Sequence, residues 1–208
     1  MESGRPRHYV CPMTVIRLIL FAALGVAALP LAANAATKPK PTPPPAAPAA
    51  SAPVPSADPG PAHSLGSAGA WTAYLAQNKD GKVCYVAGQP GKSEPAGLKR
   101  QAVMATVTHR TEDKVANVVS FDEGYPLNES DDVVLEIGKD KFTLFAKDDS
   151  AWAATSDLDK TIVIALSKAK QAVLKATPKK GHATIDTYSL AGFATALALI
   201  DKACDVKR

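Results

Sequence analysis

Cysteine is scarce in this chain: three among 208 residues, at Cys11, Cys84 and Cys204. No Cys-x-x-Cys occurs, which argues against thiol redox catalysis, and the close Cys/His pairs that zinc sites use are missing. Histidine numbers four and aromatic residues make up only 6%. There is no Gly-x-Ser-x-Gly elbow, no glycine-rich phosphate cradle and no Asp-x-Asp-x-Asp-Gly calcium loop, so these common enzyme and metal signatures give nothing to build on. A basic stripe interleaved with aromatics is also lacking, so nucleic-acid binding has little support. No cofactor is implied.

Long hydrophobic runs are limited to one. An apolar stretch from Leu18 to Leu31 follows Arg5, Arg7 and Arg17 and ends in the small-x-small pattern Ala33-Asn34-Ala35. That is the anatomy of a secretory signal peptide over residues 1–35, with cleavage between Ala35 and Ala36. Met13 begins a tidier version of the same signal and is an alternative start. The run is almost long enough for a membrane anchor. Pro30, the small-residue tail and the missing basic stop-transfer flank favour cleavage, leaving no stable membrane span. No cysteine sits at the cleavage site to take a lipid. The expected address is the periplasm of a Gram-negative bacterium, with secretion or cell-surface association as the alternative.

Residues 36–69 are Pro, Ala, Ser and Gly with little to bury. Ten of the 17 prolines lie between Pro39 and Pro61. Such a composition cannot offset its ordering entropy, so the segment reads as a disordered, extended tether. His63 lies in it and is given no role.

Residues 70–208 are expected to form one domain. Setting aside Arg5, Arg7, Arg17, Lys38 and Lys40 with Glu2 and Asp58 leaves 19 Lys+Arg against 18 Asp+Glu, so the whole-chain pI near 8.9 misleads about partners. Cys11 leaves with the signal. Cys84 and Cys204 remain as an even pair in an oxidising compartment and read as a disulfide. Two buried free thiols are the alternative.

Period-two alternation marks seven short strands, at Trp71–Leu75, Val83–Ala87, 102–109, 115–121, 133–137, 142–146 and 151–153, with turn signals between them. Two more, 172–176 and 183–188, flank Pro178-Lys179-Lys180-Gly181 as a hairpin. Ser156 with Asp159 predicts a capped helix start before Ile162, Val163 and Leu166. Ser189 is expected to cap a C-terminal helix over 190–203, with Leu190, Phe193, Ala194, Leu197 and Ile200 as its apolar stripe. Frequent short strands point to a sandwich or barrel.

The C-terminal residues Asp186-Thr187-Tyr188-Ser189-Leu190-Ala191-Gly192-Phe193 and Ile200-Asp201-Lys202-Ala203-Cys204 resemble the ending of the invasion-associated locus B family of bacterial envelope proteins. So do Trp71, Lys82-Val83-Cys84-Tyr85, Gln89-Pro90, Gly124-Tyr125-Pro126-Leu127 and Ala151-Trp152, in that order. The resemblance implies an immunoglobulin-like β-sandwich, here with an inserted helix and a C-terminal helix, and an association with host-cell entry in some bacteria. It implies no enzymatic activity.

Candidate chemistry is thin. A Ser-His-Asp reading could recruit Ser120, His109 and Asp122, and no placement signal supports them. His109, at a strand end, reads as a surface residue, and His182 is isolated. Asp122-Glu123, Glu129 to Asp132 and Asp148-Asp149 read as solvated loop or turn charges. Asn128-Glu129-Ser130 is a coincidental sequon. The expectation is a non-enzymatic binding or envelope-support factor whose partner is a protein or envelope component. A periplasmic hydrolase with an unrecognised site is the alternative.

Overall fold

Runs of β-branched and aromatic residues at alternate positions favour pleated, half-buried strands over helices. The computed structural model describes residues 61–77, 79 and 81–208. The signal segment, the Ala35/Ala36 cleavage point and most of the Pro-rich stretch therefore lie outside the described residues. The order is β1 (His63–Ala68), β2 (Trp71–Gln77), β3 (Lys82–Gly88), β4 (Lys92–Glu94), β5 (Met104–Arg110), β6 (Val115–Asp122), β7 (Val133–Ile137), β8 (Asp140–Lys147) and β9 (Ser150–Trp152). Then come α1 (Ser156–Lys168), β10 (Gln171–Ala176), β11 (Thr184–Ser189) and α2 (Phe193–Ala203). The fold is mainly β, with one inserted and one C-terminal helix.

The strands pair antiparallel in the order β1-β2-β3-β5-β6-β9-β8-β7-β10-β11-β4. Strand β8 serves both halves: residues 140–144 pair with β7, and 145–147 pair with β9. The sheet turns over there, and its halves face each other across one core. Phe121 of β6 and Tyr188 of β11 meet edge-on with ring centroids 5.6 Å apart. Val86, Val107, Leu135, Leu174, Ile162 and Ile200 fill the same core. Burying each such side chain stabilises by roughly 1.5–3 kcal/mol.

Helix α2 is tied down at several points. The Phe193 ring packs edge-on against Trp71 at 4.8 Å, and the Trp71 indole N–H donates to the Ser189 carbonyl at 2.8 Å. At its other end a disulfide joins Cys84 to Cys204, with Cα atoms 6.1 Å apart. In α1, buried Asp159 accepts the Val119 amide at 2.8 Å, fixing the helix to β6. No described helix is long and apolar enough to cross a membrane.

Several boundaries differ from the sequence expectation. The first strand begins at His63, inside the stretch assigned to the tether, because Leu65 packs on the core and the backbone pairs with β2. Strand β4 forms just after the Gln89-Pro90-Gly91 break by pairing with β11. The cap of α1 is Thr155, whose hydroxyl accepts the Leu158 amide, and not Ser156. Ser189 ends β11 instead of capping α2, which starts after Gly192. In the apolar stripe Ala194 is exposed, and Ala196, two positions on, is buried in its place.

Candidate functional site

Three places combine polar chemistry with a defined position in the fold. The first is His109, which is buried with 1% exposure and so corrects its reading as a surface residue. The alternation that buries Ala105 and Val107 in β5 carries through to it. Its Nδ1 accepts the Asn117 amide at 3.0 Å, which leaves Nε2 to carry the proton and donate to Asp201 at 2.9 Å. Burial pushes the Asp201 carboxyl up, but hydrogen bonds from His109 and Arg208 outweigh it and hold Asp201 below the usual carboxylate range. Both ring nitrogens are thus engaged in joining β5, β6 and α2. A cleft of about 380 Å³ adjoins this point, lined by Arg110, Lys114, Cys204 and Asp205 among others. The Ser-His-Asp set does not assemble: Ser120 bonds Thr106, and Asp122 accepts from Ser150.

The second is an internal ion cluster that corrects the reading of Glu123 as a solvated loop charge. Arg100, in the loop between β4 and β5, reaches inward to Glu123 at 3.2 Å and to both carboxylate oxygens of Asp186 at 2.5 and 2.7 Å. Ser93 bridges Arg100 and Asp186, and Tyr125 donates to Glu123 at 2.9 Å while contacting Thr184. Glu123 and Asp186 have no exposed surface. Burial, followed by the charge of Asp186, pushes the Glu123 carboxyl up to about 7, against the opposing pull of Tyr125 and Arg100. Two carboxylates share one guanidinium, so the cluster is best balanced with one proton on Glu123. Its role in the fold is mechanical: it pins the β4–β5 loop to β6 and β11. A cleft of about 340 Å³ opens over this loop, with Pro90, Pro95, Leu98 and Arg100 among its walls.

The third is a sheet face. Residues 84, 86, 105, 107, 119 and 121 point to the core, so the alternate positions point away from it. Tyr74 and Tyr85 lie opposite each other on β2 and β3 and stack at 5.0 Å with planes 18° apart. Phe145 and Trp152 are likewise cross-strand partners on β8 and β9. The tyrosine row continues through Thr108 of β5 to Val118 of β6, and the row two positions along runs from Thr106 through Ser120, itself buried, to Trp152 and Phe145. Tyr74, Tyr85, Met104, Phe145 and Trp152 stay half-buried and stand outside the core. Helix α2 is tied to the opposite face by Cys84 and His109. The charges here, Arg110, Asp122 and Lys147, sit at strand ends.

Of the other residues singled out in the sequence, His182 is exposed and Glu129 accepts the Asp148 amide at the surface. Asp148 and Asp149 occupy an exposed turn. Sequence reasoning missed Arg100, Glu123 and Asp186 as a unit. They stand 23 and 86 positions apart from Arg100, and only the placement of Glu123 directly after a period-two run hints at burial.

No curated protein matches the chain. The crystal structure of invasion associated protein b from Bartonella henselae is similar to it at 20% identity, covering 67% of this chain and 97% of that one, with a TM-score of 0.48. The family model of the Invasion associated locus B (IalB) protein matches residues 71–201, which run from the first residue of β2 to within three residues of the C-terminal cysteine, and the chain belongs to that family.

Proposed function

We propose that the protein is a non-enzymatic binding module of the bacterial envelope, working in the periplasm after removal of residues 1–35. The observation that carries this reading is the outer face of β2, β3, β5, β6, β9 and β8, with an aromatic pair at each end and hydroxyl-bearing residues between. Tyrosine and tryptophan supply large rigid contact area with a hydrogen-bonding handle and are favoured in interaction surfaces. Its partner is a protein or another envelope component. The same chemistry argues against a hydrolase. A general base needs a free lone pair within reach of substrate, and His109 spends its acceptor nitrogen on the Asn117 amide. The buried carboxylates are held by Arg100 and Tyr125 inside the protein.

A photoreactive residue at Tyr85, compared with one at exposed Lys141 of the β8 hairpin, tests the reading in living cells. Adducts with envelope material at Tyr85 and none at Lys141 are expected. Equal labelling at both, or none at Tyr85, contradicts it.

A further inference from the structure

The two edges of the sheet are closed in different ways. At one end β4 is three residues long, carries Lys92 and Glu94, and is flanked by Pro90 and Pro95. Short length, charge and nearby proline are what keep an edge strand from pairing with another chain. At the other end stands β1, His63-Ser64-Leu65-Gly66-Ser67-Ala68, with no Lys, Arg, Asp, Glu or Pro. It lies wholly before Trp71, where the match to the family model begins.

Strand β1 is lightly held. Leu65 is its one large apolar side chain on the core, and it is only half-buried. Ser67 and Thr72 pair their hydroxyls at 2.9 Å on the exposed side. The ladder to β2 shifts register between Ser64 and Gly66, and the Gly66 amide donates to the Ser64 hydroxyl at 3.2 Å. The strand also lies outside the loop that the Cys84–Cys204 disulfide closes. Strand β2 is held differently. All seven of its residues pair with β3, and Trp71 is anchored by Phe193 and the Ser189 carbonyl. The turn between β1 and β2 is fixed, since a Cβ on Gly69 would lie 2.0 Å from the Ala191 carbonyl oxygen. Peeling of β1 therefore stops at Gly69 and leaves β2 in place. The edge then presented runs seven residues, Trp71 to Gln77, with no charge and no proline. Alternate amides and carbonyls of such an edge point outward unpaired, a template for an incoming strand.

The bed under β1 also selects what lies on it. Leu65 fills an aliphatic position against the core. The next residue sits over α2: Gly66 has a φ of 147°, and a Cβ there would lie 3.1 Å from the Leu199 Cδ1. The site thus takes an aliphatic residue followed by one with no side chain.

We propose that β1 is a removable cover over the edge of β2, and that an extended, uncharged segment of a partner protein carrying an aliphatic-glycine step adds to the sheet in its place. This is a second binding surface, separate from the outer face.

Residue-resolved hydrogen exchange of the full chain tests this, with a synthetic peptide of residues 61–70 as the probe. Amides of β2 that face β1 are expected to exchange on the order of 100-fold faster than those of β5, because β1 opens without global unfolding. Leu65→Ser should speed them about tenfold more while leaving β5 unchanged. The peptide should restore protection to that variant. The same peptide carrying Gly66→Val should bind at least about tenfold more weakly, since its side chain overpacks against Leu199. Equal exchange of β2 and β5 in the wild type overturns the proposal, because β1 then leaves only when the whole domain unfolds. Loss of β5 protection in Leu65→Ser overturns it too, as does equal affinity for the two peptides. Dimers that form in the variant without peptide overturn the choice of partner, a second copy's β1 then filling the edge. Neither Tyr85 nor Trp152 enters these readouts, so failure here is distinct from failure of the outer-face reading.

Discussion

Glu123 is a residue whose ionisation is coupled to the fold near neutral pH. In the native state its carboxyl holds a proton up to about 7, whereas the ordinary value is 4.5. Folding therefore takes up a proton between those values. The stability it brings is complete below about 4.5 and is lost as pH rises through about 7. Asp159, pushed up to about 6 by burial, acts in the same sense. Asp201, held low, acts oppositely and only in more acid solution. Thermal unfolding followed from pH 5 to pH 8 should show a falling melting temperature, and Glu123→Gln should flatten the fall. A melting temperature that rises across that window, or a variant with an unchanged slope, contradicts the assignment. The sequence hid this group because its neighbours Gly124-Tyr125-Pro126 look like a solvated turn. The partner that makes burial tolerable, Arg100, comes from a loop without regular structure. His109 was more legible: it continues the buried phase of Ala105 and Val107, and only its place at a strand end suggested exposure.

At the scale of elements, α2 depends on a backbone contact that no apolar pattern reveals. Gly69 and Gly192 both have positive φ, 57° and 87°. A Cβ on Gly192 would lie 2.1 Å from the Ala68 carbonyl oxygen, and one on Gly69 would lie 2.0 Å from that of Ala191. Side chains clash in both places, and the left-handed conformation disfavours them further. Gly192→Ala should therefore destabilise by more than about 1 kcal/mol by denaturant titration, while Gly138→Ala, with no atom within 4 Å of its Cβ, should lose only its local turn preference. Comparable losses at the two positions would show that the close approach is not what matters. This contact also explains why α2 starts later than its apolar stripe implies. Leu190 to Gly192 form the turn that brings the chain against the end of β1, and the helix begins once that turn is complete. Strand periodicity was legible throughout because period-two burial is local. Strands β1 and β4 were not, since each has three or fewer apolar residues and exists through pairing with a distant partner.

At the scale of the molecule, the Cys84–Cys204 disulfide closes a loop of 120 positions around nearly the whole domain. In the chain-entropy account, cross-linking so long a loop stabilises by roughly 4–5 kcal/mol. Cys204→Ala should lower the melting temperature in non-reducing buffer, and the wild type in reductant should approach the variant. A variant that melts with the oxidised wild type contradicts a stabilising role. The fold class followed from local alternation, and the pairing of the cysteines from their number. The functional face did not follow, because it is made from the residues that alternation assigns to solvent. Tyr74, Tyr85, Phe145 and Trp152 come from four strands, and only their register brings them onto one surface. The binding account stands on that surface. The measurement that tests it most directly is equilibrium binding of the purified protein to isolated envelope fractions, comparing wild type with Tyr85→Ala/Trp152→Ala. The account predicts binding at least about tenfold weaker, a loss of about 1.4 kcal/mol, with melting within a few degrees of wild type, since both side chains lie outside the core. Unchanged binding by a double variant that melts normally would contradict it.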